Sequence, residues 1–158
     1  MKKSIIIFVV FIILIFSGCK KNDSIKMIST NFTSVVDIMH NNNNYKFKYI
    51  YNTDGDYKFL SINQPVDIDL IFEDGVYTLQ NLNLKSNVNE EFIENSPLFI
   101  INSIINDSKN ILITQDYNGI FNYYGTSKYG EYKLRLDNKG LPLKLSVESQ
   151  GITVVFSS

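Results

Sequence analysis

The chain has 158 residues, with 15 basic and 16 acidic side chains, one histidine, one cysteine and no tryptophan. A single cysteine excludes an internal disulfide, and one cysteine with one histidine supplies too few soft ligands for a zinc site. The two signs of charge are interspersed, which excludes the basic stripe of a nucleic-acid binder, and the length suits one domain held by its own hydrophobic core.

Met1-Lys2-Lys3 opens the chain, an apolar run from Ile5 to Phe16 follows, and the small residues Ser17 and Gly18 close it. A basic start, a short apolar core and small residues before a cut are the layout of a secretory signal peptide, here residues 1–18. The alternative, an uncleaved anchor, needs about 20 apolar residues to span a bilayer, and this run holds roughly a dozen. Phe16-Ser17-Gly18-Cys19 resembles the lipobox of bacterial lipoproteins, with phenylalanine where leucine is usual. The resemblance implies cleavage before Cys19 and a diacylglyceryl group on its sulfur; the alternative is a chance cysteine in a hydrophobic leader. Without the leader the chain carries 13 basic and 16 acidic residues, a net charge of -3. Two acyl chains hold a protein to a membrane stably, whereas one holds it marginally. Residues 19–28 include the polar, aperiodic run KKNDSIK and read as the lipidated cysteine and a tether, whose seven residues extend roughly 25 Å. The expected domain, residues 29–158, therefore works near the outer face of a cytoplasmic membrane.

From Asn31 the dominant period is two. Tyr45, Phe47, Tyr49 and Tyr51 alternate with Lys46, Lys48, Ile50 and Asn52, the pattern of a strand with one buried face. After a turn at TDGD comes YKFLSI, then VDIDLIF, which places Val66, Ile68, Leu70 and Phe72 on one side and Asp67 and Asp69 on the other. EDG turns the chain into VYTLQ, and LNLKS follows. The segment NSPLFIINSIINDS breaks this rhythm: Ser96 suits an N-cap and Pro97 the first helical position, where a missing N–H is harmless. Leu98, Ile101 and Ile105 share one helical face, and Phe99, Ile100 and Ile104 make much of the rest apolar, so the helix must be buried on more than one side. Its isoleucines also suit a strand. Beyond it NILITQ, IFNYYG, EYKLRLD, LPLKLSVE and ITVVFSS are strands separated by Asp, Asn and Gly turns. Roughly eleven strands and one helix predict a mainly β (α+β) fold, a long antiparallel meander curved around an apolar helix.

Few residues announce chemistry. His40 has no accompanying nucleophile motif such as Gly-x-Ser-x-Gly and reads as a surface residue beside the run Asn41–Asn44. Asp67 and Asp69 share a strand face, where two carboxylates could meet a calcium ion, but no EF-hand spacing is present and a solvated face is the plainer reading. No metal and no cofactor is expected. Tyr123, Tyr124, Tyr129 and Tyr132 suit either half-buried strands or a binding rim.

The opening strand NFTSVVDI, the run INQPVDIDLIFEDGVYTL, the helix SPLFIINSIIND and the closing LRLDNKGLPLKLSVESQGITVVFSS together resemble the lipoprotein-localisation-factor (LolA/LolB-like) superfamily, in particular small clostridial lipoproteins. The resemblance covers about residues 29–158. It implies a half-open β-barrel with the helix on its concave face, and a non-enzymatic role: in the leading reading, holding a lipid or acyl chain in the barrel's cavity, and in the alternative, positioning a cell-envelope partner such as a cell-wall amidase in spore germination. On the first of these Leu98, Ile101 and Ile105 form the lid or wall of a cavity, with Tyr123 and Tyr124 at its rim. The abundance of Asn, Ile, Lys, Tyr and Phe matches an AT-rich genome, in keeping with a Gram-positive source.

Overall fold

A computed structural model describes residues 28, 31–62, 67–108 and 120–157, together with the strand backbones of 24–26 and 112–114. The expected signal peptide, residues 1–18, and Cys19 lie outside the described residues. Among those described, ten strands form one antiparallel sheet that does not close on itself: β2 (Phe32–His40), β3 (Asn43–Tyr51), β4 (Tyr57–Ser61), β5 (Asp69–Glu73), β6 (Val76–Asn81), β7 (Leu84–Val88), β9 (Phe121–Ser127), β10 (Gly130–Leu136), β11 (Pro142–Val147) and β12 (Ile152–Ser157). Their spatial order is β7-β6-β5-β4-β3-β2-β12-β11-β10-β9, so two meanders join where the last strand pairs with β2. That seam runs from Ile152 opposite His40 to Ser157 opposite Val35. The fold is mainly β, with two short helices, α1 (Glu90–Ile93) and α2 (Pro97–Ser108).

Turn chemistry sets the registers. Asn41 and Asn42 both take positive φ, 49° and 66°, between β2 and β3. Asparagine tolerates this left-handed region, which a tight hairpin requires, so Asn41 and Asn42 form the turn and Asn43 and Asn44 open β3. Asp74 and Gly75 do the same between β5 and β6, at 51° and 78°. After β10 the Asp137 carboxylate accepts from the backbone N–H groups of Lys139 and Leu141, both at 2.8 Å, and turns the chain into β11.

The alternation read from the sequence sorts the two faces. Val36, Ile38, Tyr49, Phe59, Leu134, Leu145 and Val154 are at most 1% exposed on one side, while their neighbours along each strand are polar or only half-buried. Helix α2 begins as its residues dictate: the Phe99 N–H donates to Ser96 Oγ at 3.3 Å, and Pro97 occupies the first helical position. Ile100, Ile101, Ile104 and Ile105 are each at most 2% exposed.

Two expectations change. The tether is not polar chain throughout residues 19–28: Ser24–Lys26 form strand β1, paired antiparallel with β8 (Leu112–Thr114), and Ile28 is completely buried with its N–H on the Gly140 carbonyl at 3.3 Å. Three residues are too few to reveal a period, and Ile25 and Ile28 are spaced for neither strand face alone. The second change is in VDIDLIF. Only Asp69 onward is strand, so Leu70 is buried and Phe72 packs on the core, but Ile68 is 43% exposed; Val66 lies outside the described residues.

Candidate functional site: helix α2 and the pocket at its first turn

Tyrosines from both meanders reach toward the helices. The Tyr49 hydroxyl on β3 donates to Asn102 Oδ1 at 2.8 Å, one turn further Tyr51 approaches Asn106 Oδ1 at 3.5 Å, and Ser108 shares a hydrogen bond of 3.2 Å with the Tyr132 hydroxyl on β10. Before the helix, Tyr129 donates to the Glu94 carbonyl at 3.1 Å. Asn102 is 8% exposed, and a buried side-chain amide left unpaired would cost about 1–3 kcal/mol, so the Tyr49 bond fixes helix depth and rotation. Rings support these ties: Tyr49 stacks on Phe59 with centroids 4.3 Å apart, and Phe99 lies 5.7 Å from Tyr77.

Burial holds the Tyr49 hydroxyl well above its ordinary ionisation range, with the nearby Tyr51 and Tyr57 adding to the shift. Tyr57 is raised strongly as well, first by burial and then by Tyr77, Glu90 and Tyr129. Its hydroxyl is buried without a hydrogen-bond partner. These phenols are neutral structural groups at physiological pH.

A pocket of about 230 Å³ opens where α2 begins. Ile38 and Phe47 form its floor, Tyr45, Pro97 and Leu98 its walls, with His40 and Ser96 at the polar margin. Small-molecule sites commonly occupy roughly 300–1,000 Å³, so this apolar notch takes a side chain or the end of a chain more readily than a whole lipid.

The structure separates the residues grouped by sequence. Leu98 lines the notch, whereas Ile101 and Ile105 are completely buried and are not among its lining residues. Tyr123 and Tyr124 cannot line one cavity, because successive strand residues point to opposite faces. Tyr123 packs on the core with its ring 5.9 Å from that of Tyr132; Tyr124 is 68% exposed on the other side, its ring beneath the Lys133 ammonium at 5.0 Å. There it borders a wider groove of about 560 Å³ that also contains Glu131, Ser146 and Glu148.

His40 Nε2 accepts from the Asn41 side chain at 3.0 Å. Asp67 and Asp69 both serve Ser61: its hydroxyl donates to Asp67 at 2.9 Å and its backbone N–H to Asp69 at 2.7 Å, which ties the start of β5 to the end of β4. Among the described residues no three His, Cys, Asp or Glu side chains are grouped to hold a metal. The residues that sequence reading missed are Asn102 and Asn106; two amides at i and i+4 in an otherwise apolar helix were the available signal.

Comparison with protein-family models and with curated proteins finds no match to this chain.

Proposed function

We propose that the protein is a non-enzymatic lipoprotein, held to the outer face of the membrane through acylated Cys19, whose domain presents its surface to a cell-envelope partner. In this reading the sheet is a half-open barrel and α2 lies on its concave face, permanently filling the space that a carrier would leave for its ligand. The observation that carries the choice is the burial of Ile100, Ile101, Ile104 and Ile105, all at most 2% exposed. The buried Tyr49–Asn102 bond supports it, since a lid that opens would break that bond each time and expose both groups.

A second reading has its own observation. The apolar notch at Leu98, Phe47 and Tyr45 would accept the end of an acyl chain, as in a carrier of the localisation-factor type. Titration with a fluorescent fatty-acid analogue separates the two: the interaction reading expects no saturable binding, and one-to-one binding lost in Leu98→Asp supports the carrier. The anchor is tested apart from either by fractionating cells that express Cys19→Ala. Release of the chain from membranes is expected, and a variant as membrane-bound as wild type removes the lipoprotein reading.

A further inference from the structure

The outer face of the sheet, turned away from α2, carries a charge opposite to that of the chain. Cross-strand pairing places Asn122, Arg135, Lys144, Val155, Asp37 and Lys46 in one row from β9 to β3. In the next row Leu60, Lys48 and Val35 are neighbours, and beyond them Ile71, Lys58 and Ile50. With Lys133 on β10 and Lys85 on β7, the face holds seven basic residues against five acids: Asp37, Asp69, Glu73, Glu131 and, in the groove beside Tyr124, Glu148. It is therefore net +2 on a chain that is net -3 without its leader. The excess acid lies elsewhere, in the β3–β4 turn at Asp54 and Asp56, the β5–β6 turn at Asp74 and around α1 at Glu90, Glu91 and Glu94.

This face is also not uniformly polar. Met39 is 50% and Val155 43% exposed, and Val35, Ile50, Leu60 and Ile71 are half-buried between the lysines. Cations interleaved with apolar side chains on a single exposed surface are the composition of an interfacial membrane contact, where the ammonium groups meet headgroup phosphates and the apolar groups sit at their level.

We propose that the outer face of the sheet docks on the anionic headgroups of the membrane that holds the chain, leaving the acidic edge and the notch at Leu98 turned outward toward a partner. The inference rests on the anchored reading for the position of the membrane. With β1 starting at Ser24, the chain from Cys19 extends at most roughly 17 Å before the fold begins, which keeps the domain close to the bilayer. A protein of net negative charge is repelled by an anionic surface in most orientations, so a basic face selects one. Lys46 and Lys58 are engaged in exposed ion pairs with Asp37 and Glu73, Lys133 lies over the Tyr124 ring and Lys85 is on the edge strand β7, so Lys48, Arg135 and Lys144 are the cations whose removal should weaken docking most.

The test uses residues 19–158 with Cys19→Ser, a chain that keeps every described element but bears no acyl group, and sedimentation with vesicles of phosphatidylcholine with or without phosphatidylglycerol. Docking predicts binding only to vesicles with phosphatidylglycerol, and release on raising salt from 0.1 M to 1 M, as the Debye length falls from about 10 to about 3 Å. Each cation removed near an anionic surface weakens attachment about fivefold, so Lys48→Gln/Arg135→Gln/Lys144→Gln should lose on the order of 100-fold. Asp37→Asn/Glu131→Gln should bind several-fold more tightly to vesicles with phosphatidylglycerol alone, whereas a misfolded chain would bind both vesicle types through exposed apolar surface. Equal binding to both vesicle types, or wild-type binding by both variants, overturns the inference. So does capture of soluble polyphosphate by a chain that ignores vesicles, which would assign the face to an anionic polymer. Because the assay omits the acyl chains, its failure is separate from loss of the Cys19 anchor, which fractionation alone reports.

Discussion

Replacing Ile101 by alanine asks whether α2 is core or lid. Ile101 is completely buried, with Ile100, Ile104 and Ile105 buried around it. The substitution removes three carbon groups, worth about 0.8 kcal/mol each in transfer to water, and leaves a cavity whose lining loses contacts; the measured range for such changes is about 2–5 kcal/mol. Alanine returns a few tenths of a kcal/mol through its better helix propensity, so a net loss of about 3 kcal/mol is expected. Against a total stability of about 5–15 kcal/mol this is a large fraction. With a urea slope of about 2 kcal/mol/M, the unfolding midpoint should fall by about 1.5 M at unchanged slope. Leu98→Ala is the internal control: Leu98 is only half-buried beside the notch, and about 1 kcal/mol is expected. If Ile101→Ala unfolds within about 0.3 M of wild type, or loses less than Leu98→Ala, the helix does not form permanent core and the filled-interior argument fails.

Three further outcomes follow from single groups. Tyr49→Phe strands Asn102 Oδ1 in the core and should lower stability by about 1–3 kcal/mol, much of it recovered in Tyr49→Phe/Asn102→Leu, and chemical denaturation of the two variants reads the difference. Gly125→Ala sets a Cβ 2.8 Å from Tyr123 Cε1 and still closer to the Tyr132 ring, so it should destabilise by about 1–3 kcal/mol; a thermal midpoint equal to wild type would mean that these rings are not packed across the glycine. Because the fold raises the Tyr49 and Tyr57 pKa above the ordinary value of 10.0, both are protonated in the native state where the unfolded chain ionises them. Their stabilisation is thus complete below about pH 10 and is lost as pH rises beyond it, so urea midpoints should be flat from pH 7 to pH 9 and fall above pH 10, less steeply in Tyr57→Phe.

How far the sequence spoke can be traced residue by residue. Period-two runs such as Tyr45 to Tyr51 placed the strands, because a sheet with one buried face writes its orientation into alternate residues. Ser96-Pro97 marked the helix start, since a side-chain acceptor followed by a residue without an N–H satisfies the first turn. What stayed hidden depends on tertiary partners. β1 is too short to show a period and exists as a strand only against Leu112–Thr114. Ile68 continues an apolar alternation beyond the point where the ladder starts, and pairing decides where a strand begins. The tyrosine-rich segment gave composition but not direction, so Tyr123 and Tyr124 were grouped although the pleat sends them to opposite faces. The pocket was the least legible feature of all, because its floor comes from β2 and β3 and its wall from a helix some fifty residues later, and no local pattern encodes that meeting.

The most direct test of the account is native mass spectrometry of the protein extracted in mild detergent from its own membranes. The account predicts a polypeptide beginning at Cys19 with the mass of its acyl groups, associated with a second protein in fixed stoichiometry and holding no further lipid. A chain that instead carries one non-covalent lipid per molecule, and no protein, would contradict the filled interior and return the domain to the carrier reading.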